Sequence, residues 1–107
     1  MAFFDDLETR SSDERAAELV DMLPRQIARA KALDGYKKNL SDITARDINS
    51  ATALARLPVL RKSDLGQAQG AASPLGGFTT RNATGFGHIF QSPGPIYEPG
   101  GIEIDWW

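Results

Sequence analysis

Ser11-Ser12-Asp13-Glu14-Arg15-Ala16-Ala17-Glu18-Leu19-Val20-Asp21-Met22-Leu23-Pro24-Arg25-Gln26-Ile27-Ala28-Arg29-Ala30-Lys31 decides the fold class of this chain. Ser11 stands three residues before Glu14, the spacing of a capping box in which serine and glutamate each satisfy the other's free backbone N–H. Ala16, Leu19, Leu23, Ile27 and Ala30 follow at intervals of three and four, which places them on one face of a helix. Arg15, Glu18, Asp21, Arg25, Arg29 and Lys31 fall mostly on the other positions and form a solvated face. Pro24 has no N–H and collides with the preceding turn, so a kink or split is expected there. Gly35 suits the stop, and a short helix is expected around Tyr36–Leu40.

Outward from this segment, the composition divides the chain. Residues 1–65 hold 22 of the 26 charged side chains, 11 of each sign. Residues 66–107 hold four charges but nine of the ten glycines and four of the six prolines. The expectation is a mainly α chain: a helical N-terminal subdomain over 1–65, a small bundle, followed over 66–107 by a Gly/Pro-rich arm with one or two short strands. Within the first part, Ser50 can cap a helix over Ala51–Leu57 that Pro58 ends, and Ser63 or Asp64 can cap a further turn through Gln69. Within the second, Gly76–Thr80 reads as a turn into an extended piece. Phe86–Phe90 reads as a strand, and Ser92-Pro93-Gly94-Pro95 as a loop, because two prolines in three residues do not fit a regular ladder. Asp105-Trp106-Trp107 reads as a capping residue opening a helix whose remainder is not in the chain.

Bulk properties narrow the function. A compact domain of 107 residues buries roughly 65% of the surface its unfolded chain exposes. A net charge of −2 argues against nucleic acid as a partner. The absence of cysteine excludes disulfides, thiolate catalysis and cysteine metal sites. No apolar run approaches a bilayer span and the start has no basic leader, so no membrane partner is expected and a cytoplasmic location is the default. Asn82-Ala83-Thr84 fits the glycosylation pattern and is read as chance.

Few residues carry chemistry. His88 is the single histidine and has no companion ligand at helical or hairpin spacing, so it is read as a structural strand residue. Asp5, Asp6 and Glu8 are read as a solvated acidic start. Lys37-Lys38 and Arg61-Lys62 are basic pairs balanced by nearby acids. Ser92–Gly100 is a strand running into a small-residue loop, the layout of a phosphate cradle. Pro93, Pro95 and Pro99 offer no N–H, however, and Glu98 adds negative charge.

The order of these motifs resembles the N-terminal region of the phenylacetate–CoA ligase family of acyl-adenylate-forming enzymes. It begins with Phe4-Asp5-Asp6-Leu7-Glu8-Thr9-Arg10. Leu23-Pro24-Arg25-Gln26 and the more specific Leu57-Pro58-Val59-Leu60-Arg61-Lys62-Ser63-Asp64-Leu65 follow, then the glycine-rich stretch and the strand-to-loop segment. The resemblance spans most of the chain but about the first quarter of a family member. It implies a larger α/β enzyme that activates a carboxylic acid, often an aryl acid, with ATP and Mg²⁺ and passes the acyl group to coenzyme A. The front segment would be a helical region that supports the large domain.

The family's phosphate loop reads Ser-Ser-Gly-Thr-Thr-Gly-Lys-Pro. Ser92, Gly94 and Pro99 match it, and Ser92 and Gly94 are carried over as cofactor-binding positions. The threonines stand as Pro95 and Ile96, the second glycine as Tyr97 and the lysine as Glu98. The later nucleotide and Mg²⁺ motifs and the lid lysine do not occur in the 107 residues. The chain by itself is thus expected to be inactive, with no catalytic residue, no metal site and no cofactor. Its expected partners are the remainder of the large domain and, for the whole enzyme, the acid substrate; exposed apolar surface would also allow homo-oligomers. The competing expectation is a stand-alone helical interaction module without enzymatic activity.

Overall fold

The computed structural model describes residues 2–70, 73–79 and 85–100. The chain is mainly helical with one small antiparallel sheet. Its elements are α1 (Ser12–Lys31), α2 (Asp34–Lys37), α3 (Ala51–Leu54), α4 (Lys62–Gln69), β1 (His88–Ser92) and β2 (Ile96–Gly100), with 3-10 turns at Asp6–Thr9 and Ala45–Asp47. The readings placed on Thr80, Asn82-Ala83-Thr84 and Asp105-Trp106-Trp107 lie outside the described residues. Among the described residues, no helix is long and apolar enough to cross a membrane.

Two compact units form. One gathers the chain up to Arg29 with Ile43–Leu57; the other gathers Ala30–Asp42 with the chain from Pro58 onward. The compositional change near Leu65 falls inside α4.

In the first unit, α1 begins with the capping box that the Ser11/Glu14 spacing predicts. Ser11 N–H donates to Glu14 Oε2 at 2.8 Å, and Glu14 N–H donates to Ser11 Oγ at 3.2 Å. The Ser11 backbone N–H, then its hydroxyl, then the charge of Arg10 hold the Glu14 carboxyl below its ordinary value. A carboxyl lowered in the folded state stabilises above its unfolded pKa, and that contribution is lost as pH falls through the folded value. Arg10 pairs with Glu18, tying the approach segment to the second turn of the helix. Of the kink or split expected at Pro24, the split does not occur: the helix is continuous from Ser12 to Lys31. The loss is local, one hydrogen bond to the Val20 carbonyl, and twenty residues of helix with a strong cap offset it.

The apolar stripe is buried only toward its C-terminal end. Ile27 is buried and Leu23 and Ala30 are half-buried, whereas Ala16 and Leu19 are exposed. Ser50 caps α3, its Oγ accepting from Ala53 N–H at 3.1 Å. The α-helix ends at Leu54, earlier than Pro58 requires, and turns carry the chain on to Leu57.

In the second unit, Gly35 does not stop α1. It lies inside α2, which begins at Asp34. Its N–H donates to the Gly77 carbonyl at 2.9 Å, so two backbone segments touch here. Gly76 and Gly77 form the expected turn at φ +68° and +77°, a conformation that side chains with a Cβ rarely adopt. Phe78 then folds back edge-on to Tyr36, with ring centroids 5.0 Å apart. Arg61 precedes α4 and no side-chain cap holds that end, so the expected Ser63 or Asp64 cap is not made. Among the described residues, Leu40, Leu75 and Ile96 are the buried apolar side chains of this unit.

Candidate functional site

The segment that the resemblance aligns with a phosphate loop is the tip of a β-hairpin. β1 and β2 pair antiparallel with Ser92 opposite Ile96, Phe90 opposite Glu98 and His88 opposite Gly100. Pro93-Gly94-Pro95 forms the three-residue turn, with a cis bond between Gly94 and Pro95. The strand expected at Phe86–Phe90 lies two residues later, at His88–Ser92, because the closing pair is set by where the prolines force the turn. Ser92 is therefore the last strand residue, not a loop residue. Pro99 stands inside β2, where its missing N–H faces away from β1.

α4 holds this hairpin in place. The Gln69 side-chain amide grips Tyr97 at two points: Gln69 Nε2–H donates to the Tyr97 carbonyl at 2.8 Å, and Tyr97 N–H donates to Gln69 Oε1 at 2.8 Å. The amide thus acts as a one-residue third strand on the outer edge of β2. Ile96 packs on the same helix, whose Gly66 leaves room for it: a Cβ there would stand 3.5 Å from Ile96 Cδ1.

Between α4 and the turn lies an open cleft of about 650 Å³, whose lining includes Lys62, Ser63, Gly66, Gly94 and Ile96. Gly94 is in its wall and Ser92 is not, so the structure does not bring the two carried-over positions to one surface of the cleft. Lys62 is the residue that reading the sequence left aside. In the sequence it is half of a basic pair balanced by nearby acids, yet it supplies the one cationic side chain of the lining. A lysine in the first turn of a helix opposes the helix dipole, and that is the only signal in the sequence that sets it apart.

As an anion cradle the turn is poor. Pro93 and Pro95 donate nothing, and Ile96 N–H belongs to the strand pair with Ser92, which leaves Gly94 N–H. The turn itself thus lacks the run of backbone donors that a triphosphate needs. Among the described residues, no group of three or more histidine, aspartate or glutamate side chains gathers for a metal. The acidic start makes local bonds instead: Asp5 Oδ1 accepts from Leu7 N–H and Glu8 Oε2 from Phe4 N–H, both at 2.9 Å. His88 is exposed and stacks on Phe90, with centroids 5.9 Å apart.

Comparison of the chain with protein-family models, with curated proteins and with solved structures finds no match.

Proposed function

We propose that this chain is a non-catalytic N-terminal region of a carboxylic acid–CoA ligase-like enzyme, supporting a large adenylation domain. The order of motifs carries the reading: Leu57-Pro58-Val59-Leu60-Arg61-Lys62-Ser63-Asp64-Leu65, then a glycine-rich stretch, then a strand running into a Ser92/Gly94 turn. Two structural features support it. The strand-to-turn layout is present at Ser92–Ile96. Phe3, Phe4, Leu7, Leu19 and Met22 are all more than half exposed, as expected of a helical region that packs against a larger body.

ATP, Mg²⁺ and coenzyme A belong to the reading only through that larger enzyme. The turn here does not fit a nucleotide triphosphate, and no step of adenylation is assigned to these residues. The identity of the next codons tests the proposal. Several hundred further codons in frame after Trp107, encoding nucleotide and Mg²⁺ motifs, are expected, whereas a stop codon at that point would leave the interaction-module reading in its place.

A further inference from the structure

The two edges of the hairpin differ, and the difference is directional. Because Tyr97 N–H and C=O both bond to Gln69, Tyr97 and its partner Gln91 are a non-hydrogen-bonded pair. Alternation makes Ile89–Pro99 the next such pair. The outer edge of β2 is then closed: Tyr97 is occupied by Gln69, and Pro99 has no N–H to offer. Among the described residues, the outer edge of β1 is open. The N–H and C=O groups of Ile89 and Gln91 point away from β2, and no strand pairs with them among the described residues. Ile89 is 46% and Phe90 40% exposed. No proline, bulge or charged side chain protects this edge, although edges are ordinarily protected by one of these devices.

We infer that the open edge of β1 pairs with β1 of a second copy of this chain, giving a two-fold dimer with strand order β2-β1-β1-β2. The occupant must be an extended, unblocked strand, and His88-Ile89-Phe90-Gln91-Ser92 is one, without acidic or basic side chains other than His88. With the two-fold axis at Phe90, Ile89 of each copy faces Gln91 of the other. Those are the residues whose backbone groups point outward, so all eight groups pair. Phe90 meets Phe90 at the close, non-hydrogen-bonded position, where aromatic pairs add to stability, and His88 faces Ser92, so no like charges oppose one another. Since the β2 edges are closed, growth stops at two copies. This rests on the hairpin alone and stands apart from the ligase-like reading.

Sedimentation velocity on the full chain tests the inference. A concentration-dependent dimer and nothing larger is expected. Gln91→Pro removes an outward N–H without touching a bond to β2, and should weaken the dimer at least about tenfold. Phe90→Lys and Phe90→Glu should each abolish self-association through like charges at the axis, while their mixture recovers a heterodimer; recovery shows that neither variant is misfolded. A monomer at all concentrations, a larger oligomer, or a Gln91→Pro dimer of unchanged strength overturns the inference. So does a monomer whose Ile89 and Gln91 amides resist hydrogen exchange, because the edge is then satisfied from within one chain.

Discussion

Gly35→Ala is expected to lower the stability of its unit by about 1–3 kcal/mol. Helix propensity alone predicts the opposite, because alanine is favoured over glycine inside a helix by roughly 1 kcal/mol. The clash decides the sign. A Cβ on Gly35 would stand 2.6, 2.7 and 2.8 Å from three ring carbons of Phe78. The ring has no easy retreat. Tyr36 packs against it edge-on, and on its other side a Cβ at Gly76 would meet it at 2.9 Å. Moving the α2 backbone instead would lengthen the 2.9 Å bond from Gly35 N–H to the Gly77 carbonyl. Denaturant unfolding of Gly35→Ala, Phe78→Leu and the double variant checks this. The cost of Gly35→Ala should fall by half or more once Phe78 is leucine, a coupling that propensity cannot produce. A Gly35→Ala chain more stable than the parent contradicts the packing described here.

The second large effect is expected at Ile96. It is 4% exposed, the most buried of the five buried apolar residues among those described. It sits where β2 leaves the turn, against Gly66 of α4 and within 3.1 Å of where a Gly94 Cβ would be. Ile96→Ala should cost about 2–4 kcal/mol, the transfer of the lost methyl groups plus the cavity they leave. Ile89→Ala, on the exposed strand opposite, should cost under about 1 kcal/mol. Hydrogen exchange of the β1 and β2 amides is the direct readout, with protection falling in the Ile96 variant and holding in the Ile89 variant. Equal losses in the two variants would mean that the hairpin is not anchored through Ile96.

These two positions mark where a sequence stops being readable. The Ser11/Glu14 box and the Ser50 cap are local devices, and their spacing is enough to predict them. The mainly helical class follows from the same local patterns. Pro24 does not split the helix because its penalty is a single lost bond, which a long capped helix absorbs. Gly35 reads as a helix stop because glycine commonly ends helices. Its actual role, room for Phe78, depends on a residue far along the chain that no periodicity links to it. The prolines at 93 and 95 signal a turn correctly. The second of the one or two short strands expected is not placed by the sequence, because Pro99 breaks its local pattern; the ladder tolerates Pro99 because the position of its missing N–H faces away from β1.

The candidate site shows the same limit. Ser92 and Gly94 come from a resemblance in linear order, which says nothing about which surface each one faces. The hairpin register puts Ser92 in the ladder and Gly94 in the cleft wall. Lys62 joins that cleft only because Gln69 and Ile96 bring α4 against β2, a long-range contact with no local signature.

We propose that this chain supports a larger ligase-like body without itself binding nucleotide. Isothermal titration calorimetry of the 107-residue chain with ATP and Mg²⁺ tests it most directly. No binding in the micromolar range is expected, since Gly94 N–H is the one free donor of the turn and Lys62 is the one cationic side chain of the cleft beside it. A micromolar Kd that is lost in Gly94→Val would contradict it.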